Sequence, residues 1–279
     1  IAVNAFTADM IQAMGITNAQ ELAMLTHSMH TIPIGNPMKT SIRVRGIGTA
    51  QSDPALEPSV GVFVDGVFLG RSGLAMSDLT DIERIEVLQG PQGTLYGKNT
   101  NAGAISIVTK RPSLEGFEGY VNVAAGNYSM HNVTVAATGP ISETVAFRIS
   151  GNIHERDGFI KNIGPAVDGD SVDDWNIQAK LLWEPSENLS VLFSAAHVDR
   201  DTSCCAPDAT QGPQVLGLVA QGLLPDDGND PYDYVINTDF DSIFKLESDM
   251  LSLNLTYDFA WGSLCLLYTS PSPRDVEES

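Results

Sequence analysis

From residue 117 onward, apolar and polar side chains alternate one by one. Over residues 117–125 the apolar set is Phe117, Val121 and Val123, with Glu118, Tyr120 and Asn122 opposite. Over 145–156, Val145, Phe147, Ile149 and Ile153 oppose Arg148, Ser150, Asn152, His154 and Arg156. Over 251–259, Leu251, Leu253, Leu255, Tyr257 and Phe259 oppose Ser252, Asn254, Thr256 and Asp258. A period of two means strands with one apolar and one wet face. Residues 131–138 and 175–184 follow suit. Residues 189–200 are weaker, because Leu192 and Val198 fall on the wrong face.

Connections alternate as well. Residues 139–144 and 185–188 are short turns, whereas 157–174 and 201–245 are long and acidic. Short turns at one end and long loops at the other mark a transmembrane β-barrel. Trp175 and Trp183 share a face, eight residues apart. That is roughly 26 Å along a strand, or about 20 Å across a membrane once tilted by about 40°. Soluble sandwich strands also alternate, but they average about five or six residues, and these run longer.

Residues 1–112 have a different texture. A strand is expected over 1–6, then a short helix capped by Thr7 with Met10, Ile11 and Met14 as apolar positions, then a helix after Gly15 bearing Leu22 and Leu25. Strand-like runs recur at 42–45, 60–65, 82–88 and 104–109, punctuated by glycine as in a domain of tight turns.

Composition narrows the function classes. The 279 residues are 43% hydrophobic, enough for a core. No stretch approaches the roughly 18 consecutive apolar residues of a membrane helix. Fifteen basic against 35 acidic residues, net −20, exclude a nucleic-acid binder that needs a basic face. The acids crowd into 155–174 and 199–258, as solvated loops do. Asp226, Asp227, Asp230 and Asp233 match no calcium-loop signature. The chain opens on Ile1 without a signal peptide, which is read as a missing N-terminus.

Enzyme motifs fail on inspection. Gly97-Lys98 is followed by Asn99, and Gln92 stands where a phosphate loop needs its first glycine. Gly46-Ile47-Gly48 lacks a glycine at Gln51 for dinucleotide binding. His27, His30, His131, His154 and His197 are scattered, and Cys204, Cys205 and Cys265 have no metal-ligand spacing. The adjacent pair is open to two readings, free thiols or a vicinal disulfide. No catalytic residue, metal or cofactor is expected.

IRVRGIG at 42–48, EPSVGVFVDGV at 57–67 and DIERIEVLQGPQGTLYGKNTNAGAISIVTKRP at 81–112 resemble the plug domain of TonB-dependent outer-membrane receptors, as does the opening VNAFTADMIQAMGI. The resemblance covers 1–112 closely and the strands to about 264 in pattern. It implies a mixed α/β plug domain (1–112) followed by an incomplete antiparallel transmembrane β-barrel (113–264), about six strands where such transporters use about 22. Glu86 matches a family glutamate. Gln89 stands where an arginine often pairs with the barrel wall, leaving Arg43, Arg45 and Arg84 as neighbouring candidates for plug–barrel contact or as ordinary surface charge. Plug loops 49–56 and 70–75 would face the ligand, with Gln51, Arg71 and Ser72 as candidate contacts. Arg71 could meet an anionic ferric chelate or pair with a lumen carboxylate.

The implied function is import of a scarce nutrient, foremost a ferric siderophore. It is gated by the plug and energised by the inner-membrane TonB complex, through a segment before Ile1. A non-transporting surface protein or adhesin is the other membrane reading, favoured by a sheet without a plug. A soluble enzyme would show a cofactor at 90–99. Residues 265–279, CLLYTSPSPRDVEES, neither alternate nor turn, and are expected to be a non-native tail adding no full strand. In the barrel, Phe147, Ile149, Leu181, Leu253 and Leu255 are expected outside. Arg148, Asn152, Gln178, Lys180 and Asn254 are expected on the plug side, because a charge on the lipid face at mid-depth costs about 2–4 kcal/mol.

Overall fold

The computed structural model describes residues 2–16, 18–34, 36–49, 56–70, 79–204, 220–222, 234–236 and 238–274. β1 (Ala2–Thr7) leads into helix α1 (Ala8–Ala13), whose N-cap Thr7 accepts from Met10 N–H as expected. Ile11 is buried, while Met10 and Met14 are exposed. Helix α2 (Ala19–Leu25) buries Leu22 completely. β2 (Met29–Ile34) and β3 (Asn36–Val44) form a hairpin.

The plug core is a five-stranded sheet. β4 (Val60–Val64), β5 (Val67–Leu69), β6 (Ile82–Gln89) and β7 (Gly103–Thr109) join β1 in the order β1-β6-β7-β4-β5. Val62, Ile85, Val87, Ile105 and Ile107 meet there with Leu22, each at 1% exposure or less. Gly103 is demanded by space, since a Cβ would lie 2.6 Å from the Leu88 carbonyl oxygen. Asp65 and Gly66 join β4 to β5 with φ of 49° and 84°, the two positive values that a tight hairpin turn requires.

A seven-stranded antiparallel sheet follows: β8 (Glu118–Ala125), β9 (His131–Ser142), β10 (Val145–Arg156), β12 (Val172–Ser186), β13 (Leu189–Ser203), β15 (Ile243–Phe259) and β16 (Gly262–Arg274). Each pairs with the next in chain order. Two short strands, β11 (Lys161–Asn162) and β14 (Val235–Ile236), pair in parallel and tie two of the long loops together.

Two expectations are corrected. The sheet has seven strands where about six were expected, because 262–274 pairs with β15 along its length. The tail therefore contributes a full strand. Its order is carried by backbone pairing, since Leu264, Leu266 and Tyr268 are exposed on one face and Cys265 on the other. Leu267 approaches the plug, 3.3 Å from where a Cβ on Gly66 would sit. Residues 189–203 form a regular strand, and Leu192 and Val198 lie half-buried on the inner face.

The faces follow the alternation. Leu253 is 40% exposed and its neighbour Ser252 9%, whereas Arg148 and Lys180 are 8% and 3% exposed. The outward apolar band ends at Ile153 on β10, Trp175 on β12, Ala195 on β13 and Leu251 on β15, with charges beyond it. Ile153, Trp175, Asp199 and Glu247 are cross-strand neighbours, so the band edge slips four residues over three strand steps, from Glu247 to Leu251. Strands about 4.8 Å apart and tilted by about 40° should offset a level boundary by about 1.2 residues per step, which matches. At the other end of the band, Tyr257 and Phe259 lie 4.5 Å apart and Phe259 stacks on Trp261 at 5.2 Å.

Candidate functional site

The plug meets the wall through two carboxylates held in left-handed backbone. Asp65, in the β4–β5 turn, accepts from Thr109 N–H at 2.9 Å and from Thr109 Oγ1 at 2.6 Å. Its Oδ2 also accepts from Lys180 Nζ of β12 at 3.0 Å. Lys180 donates further to Thr109 Oγ1, and to the Lys110 carbonyl at 3.2 Å. Asp81, with φ 54°, precedes β6 and is 4% exposed. Its two oxygens accept from Arg148 Nε and Nη2 of β10, both at 2.5 Å, and Tyr120 Oη of β8 donates to it at 3.1 Å.

Arg148 and Lys180 are direct cross-strand neighbours. Like charges so placed repel each other, and the inner face of the sheet tolerates them because the plug supplies one carboxylate to each. Both cations are nearly dry, with side-chain exposures of 9% and 1%. A buried ion pair gains little over an apolar pair, but removing one partner leaves a stranded charge costing about 3–5 kcal/mol. The seam thus specifies where the plug seats. Smaller contacts extend it: Asn176 Nδ2 to Thr80 Oγ1 at 3.3 Å, Arg111 Nη2 to Ser190 Oγ at 3.4 Å, and Ser113 N–H to Thr138 Oγ1 at 3.0 Å. The last two flank the point where the chain leaves the plug for the wall.

The residues singled out in the sequence are distributed otherwise. Gln51, Arg71 and Ser72 lie outside the described residues. Arg45 Nε donates to Gln89 Oε1 at 3.0 Å, and Arg84 pairs with Glu86 at 2.8 Å and Glu83 at 2.7 Å. The hydrogen bond that Arg84 Nε donates to Glu86 holds the guanidinium above its ordinary range. Arg43 is half-buried, with Nε unpartnered among the described residues. Within the described residues, the contacts of Arg45, Arg84, Glu86 and Gln89 run inside the plug, and the wall is engaged by Asp65 and Asp81 instead. Alternation pointed Arg148 and Lys180 inward, as found. Their partners were missed because Asp65 reads as a turn residue and Asp81 as one acid among many.

Elsewhere Lys98 pairs with Glu57 at 2.6 Å, which holds that exposed carboxyl below its usual range. Cys204 is disulfide-bonded and Cys265 is a free thiol. Among the described residues, no three His, Cys, Asp or Glu side chains are placed to hold a metal ion.

Residues 1–104 match the family model described as TonB-dependent Receptor Plug Domain. The ferrioxamine receptor of Yersinia enterocolitica is 34% identical over 148 residues, covering 50% of this chain and 19% of that protein. The pesticin receptor of the same organism is 32% identical over 133 residues, 48% of this chain and 19% of that protein. The chain thus spans about a fifth of the length of these curated relatives. Among solved structures, the ferric yersiniabactin uptake receptor of Yersinia pestis superposes with a TM-score of 0.78 at 22% identity, covering 93% of this chain and 39% of that one. The ferripyoverdine receptor of Pseudomonas aeruginosa gives 0.70 at 17% identity, with coverages of 96% and 34%. These likenesses place the fold as a plug with part of an unclosed barrel.

Proposed function

We propose, from a chain whose residues 1–104 are a TonB-dependent receptor plug domain continued into the first strands of a barrel, that the complete protein is an outer-membrane importer of a ferric siderophore. The observation that carries this is the seam. A folded plug is ion-paired through Asp65 and Asp81 to the polar inner face of a sheet whose outer face is an apolar band. An adhesin needs no such plug, and a soluble fold does not leave Ile149, Leu181, Leu251 and Leu253 facing outward. The relatives named above are described as receptors for ferrioxamine and pesticin, and the solved structure as a ferric yersiniabactin uptake receptor.

A domain boundary at 112/113 is proposed, supported by its position between the strand ending at Thr109 and the strand starting at Glu118. Gln51, Arg71 and Ser72 are proposed to meet the ligand. Arg43, Arg45, Arg84, Glu86 and Gln89 are proposed to contact wall strands beyond the seven described. TonB and its inner-membrane complex are the proposed source of the work that moves the plug. The test is growth of a strain deleted for the complete gene under iron limitation with single ferric siderophores. Loss of growth on one chelate, restored by the gene only in a TonB-competent background, is expected. Unchanged growth on every chelate overturns the reading.

A further inference from the structure

The seam contacts described above all come from one part of the chain, residues 65–113, and the exit from plug to wall is clamped hardest. Lys110 N–H donates to the Asp81 carbonyl at 2.9 Å, the Lys110 carbonyl accepts from Lys180, and the Lys110 ammonium stands 5.0 Å over the Tyr120 ring. Arg111 holds Ser190, which donates on to Glu184 at 3.1 Å. Ser113 holds Thr138, which donates on to the Phe147 carbonyl at 2.8 Å. The exit is thus bonded to β8, β9, β10, β12 and β13 at once. A segment so tied offers no hinge.

Residues 2–49 are attached differently. β1 is an edge strand of the plug sheet, bonded there to β6 from Ala2↔Gln89 to Thr7↔Arg84. β2 and β3 pair with each other in a sheet of their own. Taking 2–49 away would therefore interrupt one ladder of the plug sheet and leave β6-β7-β4-β5 continuous. Apolar packing supplies much of the remaining hold, with Phe6, Ile11 and Leu22 sharing one core with Ile85, Val87 and Ile107. Arg45 and Thr49 add bonds to Gln89 and Ser59. The reverse face of the sheet has its own cluster, Phe63, Leu88 and Ala104 with Phe68 and Tyr96 against them. The four remaining strands would keep a core.

We infer that the plug parts along the β1–β6 ladder, so that a pull on its N-terminal end removes residues 2–49 while the seam keeps 60–113 on the wall. An edge ladder opens without disturbing its neighbours. Freeing 60–113 instead strands two dry charges and breaks the linker bonds at the same time. The inference rests on the importer reading, in which work arrives through the chain before Ile1, and it names which part of the plug is the gate.

The test pulls the complete protein by a handle on its N-terminal end while the barrel is held in a supported bilayer. A first event that frees residues 2–59 lengthens the chain by roughly 20 nm at about 3.5 Å per residue, and release of the whole plug by roughly 39 nm. The unmodified protein should give the shorter event first. Two disulfide locks, made in a Cys265→Ser background, assign it. Ala5→Cys with Glu86→Cys joins cross-strand neighbours of β1 and β6 and should abolish the event until the lock is reduced. Thr80→Cys with Asn176→Cys joins the plug to β12 at a 3.3 Å contact and should leave the event unchanged. A first event of roughly 39 nm, loss of the short event in the seam-locked protein, or its survival in the ladder-locked one each overturns the inference. None of these readouts needs a ligand, so the growth test of the importer reading can fail separately.

Discussion

Asp81 is asked to satisfy a guanidinium and a phenol at once, from a backbone conformation that aspartate adopts more readily than most residues. Asp81→Asn should therefore strand Arg148 in a dry setting and cost about 3–5 kcal/mol. Arg148→Met combined with Asp81→Asn should recover most of that loss, because the stranded guanidinium is gone while asparagine keeps the left-handed backbone and an acceptor for Tyr120. Chemical denaturation of the complete protein, read by a probe on the plug, checks both. An Asp81→Asn variant as stable as wild type would mean that the seam does not hold the plug. At Lys180 the balance differs. Asp65 keeps two donors from Thr109 when the lysine is gone, so Lys180→Met should cost no more than about 1–2 kcal/mol. The cations of the seam were legible because a charge cannot sit on the lipid face. The acids were not, since a carboxylate in an Asp-Gly turn looks the same whether it faces water or a lysine.

Among elements, the long strands were the most legible part of the fold, because their outer face must be apolar over a whole membrane depth. β13 was harder to read. Its inner face carries Leu192 and Val198 because that face meets protein as well as water, and the polar half of the alternation weakens there. β16 was not readable at all, since backbone pairing with β15 needs no side-chain pattern and its residues do not alternate. The lipid-face assignment predicts that Leu253→Arg costs about 2–4 kcal/mol when the complete protein folds into vesicles, while Ser252→Ala on the opposite face stays near wild type. Equal losses would sink the assignment. The loop after β10 offers a pH test. Asp168 accepts from Asn162 N–H at 2.8 Å and from Lys161 Nζ at 3.0 Å, and these bonds hold its carboxyl below the ordinary range. A lowered folded-state value stabilises the turn above the unfolded range, and that support is lost as pH falls through the lowered value. Relative to its intrinsic rate at each pH, amide exchange at Asn162 should lose more protection on acidification than that of neighbours without a carboxylate acceptor. A parallel response would show the bond to be incidental.

On the scale of the whole molecule, the band edge and the aromatic residues together set the depth of the chain in a bilayer. Trp175 and Trp183 share the outer face of β12 and are both exposed, with Leu181, Ala179 and Ile177 between them. Their separation of roughly 26 Å along the strand becomes about 20 Å of depth at a tilt of about 40°, so they should occupy opposite interfaces with hydrocarbon between. Phe193 on β13 lies beside Leu181 and faces the same way, which puts it near the middle of the band. The complete protein, with its other tryptophans replaced, should then report three depths in vesicles of brominated lipid. Trp175 and Trp183 alone should each be quenched most by bromine near the headgroups, and Phe193→Trp most by bromine near the chain ends. The acidic loops beyond Trp175 should leave it more accessible to an added aqueous quencher from the outer side, and Trp183 from the inner. If Trp183 is quenched most by deep bromine, or Phe193→Trp by shallow bromine, the band has been placed at the wrong height. The tilt inferred from its four-residue slip across the sheet then fails with it.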